Sequence, residues 1–139
     1  MASDAFRTGL KIRKEVLGKA YVEQALSGAT EFDHDYQRML VEHAWGGIWG
    51  RGVLSNQQRS LNMLCMLAAQ GRMAEFKLHL RGALRNGCSL EELRETLLQI
   101  AVYCGMPAGN EAFRLAREVF AEEGVEVSPR PVEDGTTPR

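Results

Sequence analysis

The amino-acid sequence predicts an all-α fold. Apolar residues recur at spacings of three and four along most of the chain, and no stretch alternates convincingly with a period of two. Two capping boxes, Ser55 with Gln58 and Ser89 with Glu92, each precede an apolar helical pattern. We therefore expect a helical bundle of about six helices, and a chain of 139 residues is most economically a single domain.

The first two predicted helices lead into a glycine-rich segment. The first helix is expected over roughly residues 4–25, and the second begins after Asp33, a residue type that suits an N-cap. The segment "WGGIWGRGV", residues 45–53, then carries four glycines around two tryptophans. Because glycine disfavours a continuous helix, we expect the second helix to end there and a tight, aromatic-lined loop to begin.

The third helix, opened by the capping box at Ser55, has an unusual composition. Its sequence "LNMLCMLAAQ", residues 61–70, is apolar almost all round. A small monomer rarely covers such a helix by itself. This pattern therefore indicates oligomerisation.

Three further helices complete the predicted bundle. The fourth closes at Asn86-Gly87, the fifth opens at Ser89, and the last has Pro107 in its first turn. The chain then ends in a polar stretch rich in Pro and Thr. We expect a helical domain over residues 1–125 and a disordered tail over residues 126–139. The apolar stripe of the fourth helix consists of Met73, Phe76, Leu80 and Leu84.

The composition excludes several classes of protein. The formal net charge of -1 gives no sign of a nucleic-acid or membrane-surface partner. The first 20 residues contain no apolar core of signal-peptide length, and no other apolar run approaches the length of a membrane span. We therefore expect a cytoplasmic protein. Cys65, Cys88 and Cys104 are widely spaced, which predicts reduced thiols. The three histidines show no metal-ligand spacing, so we expect no metal site.

A row of side chains flanks the apolar stripe of the fourth helix: Arg72, Glu75, His79, Gly82 and Asn86. Their spacings of three and four place them in one narrow band of a helix. In one interpretation this band is a solvated flank, with Arg72 and Glu75 forming an ordinary ion pair. In the other it is a pocket wall, where His79 transfers protons and a carboxylate orients its ring. Gly82 would let another element or a substrate approach closely.

The glycine-rich segment offers a second group of candidates. Trp45 and Trp49 are typical of core or subunit contacts, yet large aromatics around glycines also form shaped clefts. Arg59, in the first turn of an apolar helix, suits an ion pair, a contact with a helix carbonyl or a bidentate grip on a carboxylate. The polar residues that bracket the tryptophans are Glu42, His43 and Arg51.

Two stretches carry a resemblance to a known superfamily. They are "EHAWGGIWGRGVLSNQQRSLNML" and "AAQGRMAEFKLHLRGALRNGCSLEELRETLLQIAVYCGMPAGNEAF". Over roughly residues 32–120 the chain resembles the carboxymuconolactone decarboxylase and alkylhydroperoxidase D superfamily. The resemblance implies an alkylhydroperoxidase D-like helical fold and a homo-oligomer, a trimer or hexamer. Peroxidase-type members carry a C-x2-C-x3-H motif; here Arg72, Glu75 and His79 take its positions, so both thiols are absent.

The decarboxylase branch fits this pattern. It implies that 4-carboxymuconolactone, a small dicarboxylated lactone, is converted without a cofactor to 3-oxoadipate enol-lactone. This reaction belongs to the degradation of protocatechuate by the beta-ketoadipate pathway. The lactone itself accepts the electron pair left by carbon dioxide, so neither pyridoxal, thiamine nor metal is needed. The resemblance implies the catalytic residues His79, Glu75 and Arg72, and the substrate-binding residues Arg59, Arg51, Glu42, His43, Trp45 and Trp49.

Individual roles follow from the demands of that reaction. Arginines hold the dianion. His79 donates the proton or polarises the lactone, with Glu75 orienting it or competing for the acid role. Glu42 and the tryptophans shape a dry wall. His43 stands where similar sequences are expected to carry Tyr, which predicts that the natural lactone differs from carboxymuconolactone if this position touches substrate.

Three alternatives stay open at the level of sequence. A related lyase or isomerase acting on another carboxylated lactone needs the same acid, arginine grip and cavity. A thiol-dependent redox protein requires two of the three cysteines to meet in space. A non-enzymatic, oligomeric small-ligand-binding protein requires no chemistry at His79.

Overall fold

The structure, a computed structural model, describes residues 1–136 and confirms the all-α prediction. Within these residues there are seven α-helices and one π-helix, and no β-strand. The elements are α1 (Asp4–Leu17), α2 (Lys19–Ser27), α3 (His34–Met39), the π-helix (Leu40–Trp49), α4 (Asn56–Gln70), α5 (Met73–Arg85), α6 (Leu90–Cys104) and α7 (Met106–Glu122).

The first predicted helix is interrupted, so the expectation of one helix over residues 4–25 was wrong. Gly18 adopts φ 94° and ψ 142°, a conformation that only glycine takes readily, and it separates α1 from α2. The Arg85 side chain of α5 donates a hydrogen bond of 3.0 Å from Nη1 to the Val16 carbonyl oxygen. A distant side chain therefore satisfies one of the carbonyl groups exposed at the end of α1.

The segment around the tryptophans is helical, so the expected loop at residues 45–53 was wrong for its first half. Asp33 is at the N-cap of α3 as expected, but the chain continues from α3 into a π-helix that ends only at Trp49. Two glycines, one on each helix, permit close packing between α1 and the π-helix. A Cβ atom on Gly46 would overlap the carbonyl oxygen of Ala5, and one on Gly9 would overlap that of Val41.

The predicted boundaries of the later helices are confirmed to within about a residue. Ser55 Oγ accepts from the Gln58 amide at 3.1 Å, and Ser89 Oγ accepts from the Glu92 amide at 3.0 Å. Both capping boxes are complete. Pro107 lies in the first turn of α7, which ends at Glu122.

Two hydrophobic clusters fill the interior, and Met63 of α4 packs against both. The larger one, the bundle core, lies between α4, α5, α6 and α7 and includes Leu64, Phe76, Leu80, Leu93, Leu97, Ile100 and Val119. The smaller one, the tryptophan core, joins α1 and α2 to the π-helix and consists of Val16, Leu17, Val22, Trp45 and Trp49.

Part of the apolar surface is exposed in the single chain. Met66 of α4 is exposed, and so are Val102, Tyr103 and Met106 around the junction of α6 and α7. The oligomer expected from the composition of α4 stays a prediction. Within residues 1–136, no helix is both long and apolar enough to cross a membrane.

The segment after α7 turns back on the bundle. Gly124 takes φ 67°, and the Val125 amide donates to the Phe120 carbonyl at 2.8 Å, which reverses the chain direction as in a Schellman motif. Val125 and residues 127–130 then form one wall of a groove along α6 and α7. Residues 125–136 contain neither helix nor strand. Disorder of the predicted tail, residues 126–139, stays a prediction, and its last three residues lie outside the described part.

Candidate active site

His79 is the buried centre of the candidate site. It lies on α5 with 8% of its surface exposed. Its ring stacks against both tryptophans of the π-helix, with a centroid distance of 6.2 Å to Trp45 and 6.3 Å to Trp49. The two indole rings are themselves 4.7 Å apart. The candidate site therefore lies where the α5 helix of the bundle meets the tryptophan core.

The surroundings of His79 keep its ring neutral. Burial lowers the pKa of His79 from 6.5 to about 4, and the negative charge of Glu75 opposes that shift only in part. At pH 7 the imidazole therefore carries one N–H donor and one acceptor nitrogen. Its Nδ1 atom is buried and has no hydrogen-bond partner among the described residues. An unpaired polar atom costs free energy when buried, so this nitrogen is suited to a bond with a bound molecule.

The other members of the predicted row on α5 lie in different environments. Arg72, at the N-cap of α5, and Glu75 are both exposed, and among the described residues no hydrogen bond joins Glu75 to His79. Gly82 is buried, and a Cβ atom there would lie 3.0 Å from the Val16 carbonyl oxygen. Another element, α1, therefore uses the close approach that Gly82 permits.

Arg59 is positioned at the end of the π-helix. Its Nη2 atom donates to the carbonyl oxygen of Arg51 at 3.3 Å, two residues beyond Trp49. Its Nε atom is buried and has no partner among the described residues. This half-buried guanidinium is thus held by one bond and has a further donor free for a ligand. The Arg51 residue itself is exposed.

Glu42 and His43 are less closely connected with His79. Glu42 accepts hydrogen bonds from Arg38 Nη2 at 3.1 Å and from Ser3 Oγ at 3.0 Å. The bond from Arg38, then that from Ser3, lowers the pKa of Glu42. These bonds tie the carboxylate to α1 and α3. His43 is exposed on the π-helix.

Sequence reasoning did not anticipate two buried polar groups. Ser60, next to Arg59, is fully buried and accepts a hydrogen bond of 2.9 Å from Asn86 Nδ2. Asn86 belongs to the same row as His79, which was the only signal for this contact. Arg13 is 3% exposed, and its Nη1 donates to Gln37 Oε1 at 3.1 Å. No sequence signal distinguished Arg13 from the other cations of α1.

The pKa values of two of the three cysteines disfavour thiol-dependent chemistry at those two positions. All three are free thiols. Burial, followed by the neighbouring Cys104, raises the pKa of Cys65, and burial raises the pKa of Cys88 to about 11. A raised pKa disfavours the thiolate that attacks peroxides and disulfides. Across residues 1–136, no group of three or more His, Cys, Asp or Glu side chains is arranged to hold a metal ion.

Comparison with known proteins identifies related chains. The family model described as the carboxymuconolactone decarboxylase family matches residues 34–118. The matched range includes the π-helix, α4, α5 and α6, and with them every candidate residue named above for the reaction.

Two relatives align with most of the chain. A 4-carboxymuconolactone decarboxylase from Acinetobacter baylyi is 38% identical over 120 residues, which cover 86% of this chain and 90% of the relative. A nitrosuccinic acid decarboxylase from Metarhizium robertsii is 47% identical over 115 residues, which cover 83% of this chain and 80% of the relative.

Proposed function

The chain belongs to the carboxymuconolactone decarboxylase family, and on that premise we propose that it is a carboxy-lyase acting on a small dicarboxylate. The observation that carries the proposal is His79, a buried, neutral imidazole with an unpartnered nitrogen between α5 and the tryptophans. Both relatives described above are named decarboxylases, although their names give different substrates.

The reaction has the same electronic form for both substrates. In 4-carboxymuconolactone the bond between ring carbon and carboxylate breaks, carbon dioxide leaves, and the electron pair moves onto the lactone carbonyl oxygen. A proton is then added to ring carbon, which gives 3-oxoadipate enol-lactone. In nitrosuccinic acid a nitro group accepts the pair instead. Since each substrate contains its own electron acceptor, the protein has to bind, orient and protonate, and no cofactor is required.

We assign His79 to the developing oxyanion. The low pKa of His79 means that few rings are protonated at pH 7, so a neutral N–H donor suits this site better than an imidazolium acid. A donor held in a water-poor environment stabilises negative charge strongly, because no solvent has to reorganise during the reaction. Trp45 and Trp49 hold the ring by stacking and exclude water from it.

We assign Arg59 to the carboxylate that stays on the substrate. Its unpaired Nε and its remaining N–H groups can make a bidentate contact with a carboxylate. Arg51, exposed beside it, would assist from the loop after the π-helix. Arg72 and Glu75 precede His79 along α5 and are exposed, so we place them at the entrance of the site. Glu42 and His43 complete the proposed binding set on the π-helix.

The leading substrate is 4-carboxymuconolactone, within the degradation of protocatechuate. Nitrosuccinic acid is the second candidate, and it is favoured by the 47% identity with a relative named as a nitrosuccinic acid decarboxylase. The departure expected at His43 would favour a substrate other than carboxymuconolactone if this position touches substrate. We further propose a cytoplasmic homo-oligomer, a trimer or hexamer, with no nucleic-acid or membrane partner.

The first experiment follows the ultraviolet absorbance of freshly generated 4-carboxymuconolactone in buffer with chelator and no added cofactor. Nitrosuccinic acid is tested in parallel by carbon dioxide release. Wild type is compared with His79→Ala and Arg59→Ala, and His34→Ala and Arg114→Ala serve as controls because these exposed residues lie outside the site.

We expect turnover of one substrate by wild type and both controls. His79→Ala should lose mainly kcat, and Arg59→Ala should raise KM, with folding intact by circular dichroism. Turnover of nitrosuccinic acid alone would replace the leading substrate by the second. Failure of wild type with both substrates would favour a lyase or isomerase for another carboxylated lactone, or a non-enzymatic binding protein.

A further inference from the structure

A second site lies in the groove between α6, α7 and the segment 125–130. Its volume is about 700 Å³, within the usual range for small-molecule pockets. None of the residues that line it belongs to the candidate active site. Its apolar lining includes Leu90, Phe113, Phe120 and Val127.

The charged side chains that line this groove are all positively charged. Arg94, Arg117 and Arg130 line it, and no Asp or Glu does. Arg94 is engaged with neighbouring carboxylates, at 3.8 Å from Glu91 and 3.4 Å from Glu95. By contrast, neither Arg117 nor Arg130 forms an ion pair with another of the described residues. Two guanidinium groups beside an apolar surface are therefore available to an anion.

A reversal of the chain after α7 begins the third wall of the groove. The left-handed conformation of Gly124 and the bond from the Val125 amide to the Phe120 carbonyl send the chain back along α7. This places Arg130 on the same groove as Arg117, which is a residue of α7 itself. The position of both arginines along one groove thus depends on the chain reversal after α7.

We propose that this groove binds an amphipathic organic anion, namely a carboxylate attached to an aromatic ring system. The ring lies on the apolar surface near Phe113 and Phe120, where removal of apolar area from water contributes affinity. The carboxylate accepts hydrogen bonds from Arg117 and Arg130, which also neutralise its charge. The proposal concerns a different part of the molecule from the decarboxylase site and does not depend on that activity.

The test is isothermal titration calorimetry of the full chain with naphthalene-2-carboxylate and with the neutral alcohol 2-naphthylmethanol. Arg117→Gln removes one guanidinium from an exposed position, and Ala121→Trp fills the groove from another exposed position, so both variants should fold. Arg114→Gln is the matched control, because it removes an exposed arginine of the same helix that does not line the groove. His79→Ala tests whether the probe binds in this groove or in the candidate active site.

We expect one carboxylate per chain, bound at least about tenfold more tightly than the alcohol. Arg117→Gln should weaken the carboxylate about tenfold, Ala121→Trp should abolish its binding, and Arg114→Gln and His79→Ala should leave it unchanged. Equal affinity for the two probes, or unchanged binding in both groove variants, would overturn the proposal. Loss of binding in His79→Ala would place the probe in the active site instead.

Sedimentation velocity of the same variants tests the competing occupant. A second copy of the chain seated on this face would make Ala121→Trp change the oligomeric state. That result would overturn the small-molecule proposal and identify the groove as a contact between copies. An unchanged sedimentation coefficient, together with lost probe binding, would support the small-molecule site.

Discussion

The bundle core and the tryptophan core are packed by different means. In the bundle core, regular α-helices, two of which begin with complete capping boxes, bring large side chains such as Phe76 and Leu80 together. In the tryptophan core, α1 crosses a π-helix so closely that backbone meets backbone at Gly9 and Gly46. His79 belongs to a bundle helix, but its ring stacks against the tryptophans. The comparison indicates that the candidate site depends on the docking of one region against the other.

The largest expected effect comes from removing the imidazole of His79, which lies between the bundle core and the tryptophan core. We expect His79→Ala to lower kcat about a thousandfold, since both a hydrogen-bond donor and its stacking contacts are lost. Steady-state kinetics on the active substrate measures the change. His34→Ala, an exposed histidine on α3, should keep wild-type kcat. Near-normal kcat in His79→Ala would remove His79 from the mechanism.

A methyl group at the crossing of α1 and the π-helix tests the tryptophan core directly. Gly46→Ala should lower the free energy of unfolding by about 3 kcal/mol, because its Cβ would overlap the backbone of Ala5. Gly52→Ala is the control, since no atom lies within 4 Å of a Cβ there. Urea denaturation measures both. Equal stability of the two variants would mean that close backbone contact does not hold the regions together.

The free energy of unfolding should depend on pH because His79 is buried in the folded chain. Because folding lowers the pKa of His79 from 6.5 to about 4, the unfolded chain takes up a proton in this window that the folded chain excludes. Stability is therefore fully present above pH 6.5 and declines as the pH falls towards 4, by about 3 kcal/mol from this group. Urea denaturation of wild type and His79→Gln across the window isolates this contribution. If the free energy of unfolding changes with pH in the same way for wild type and His79→Gln, the His79 ring is not desolvated.

The smallest expected effect concerns the contact between α4 and α5 beside Arg59. Loss of the hydrogen bond from Asn86 to Ser60 should cost about 1 kcal/mol of stability. A double-mutant cycle of Asn86→Ala and Ser60→Ala measures the coupling between the two side chains. If the bond also positions Arg59, Asn86→Ala will raise KM with little change in kcat. An unchanged KM would limit the contact to a structural role.

The sequence by itself determined the all-α class, the boundaries of α4 to α7 and the family. Capping boxes, Pro107 and the spacings of three and four in the apolar stripe of α5 each involve residues about one helical turn apart. They can therefore be recognised from neighbouring residues in the sequence alone. It also singled out His79, Arg59 and the two tryptophans, whose roles stay proposals.

Only the tertiary structure decided how those residues are arranged. Spacing placed Arg72, Glu75 and His79 in one row, but only His79 is buried, because α1 and the π-helix cover part of that row. The same holds for Gly46, where a glycine expected to end a helix instead admits another backbone. Burial and close approach are properties of what packs against a residue, and that partner comes from a distant part of the chain.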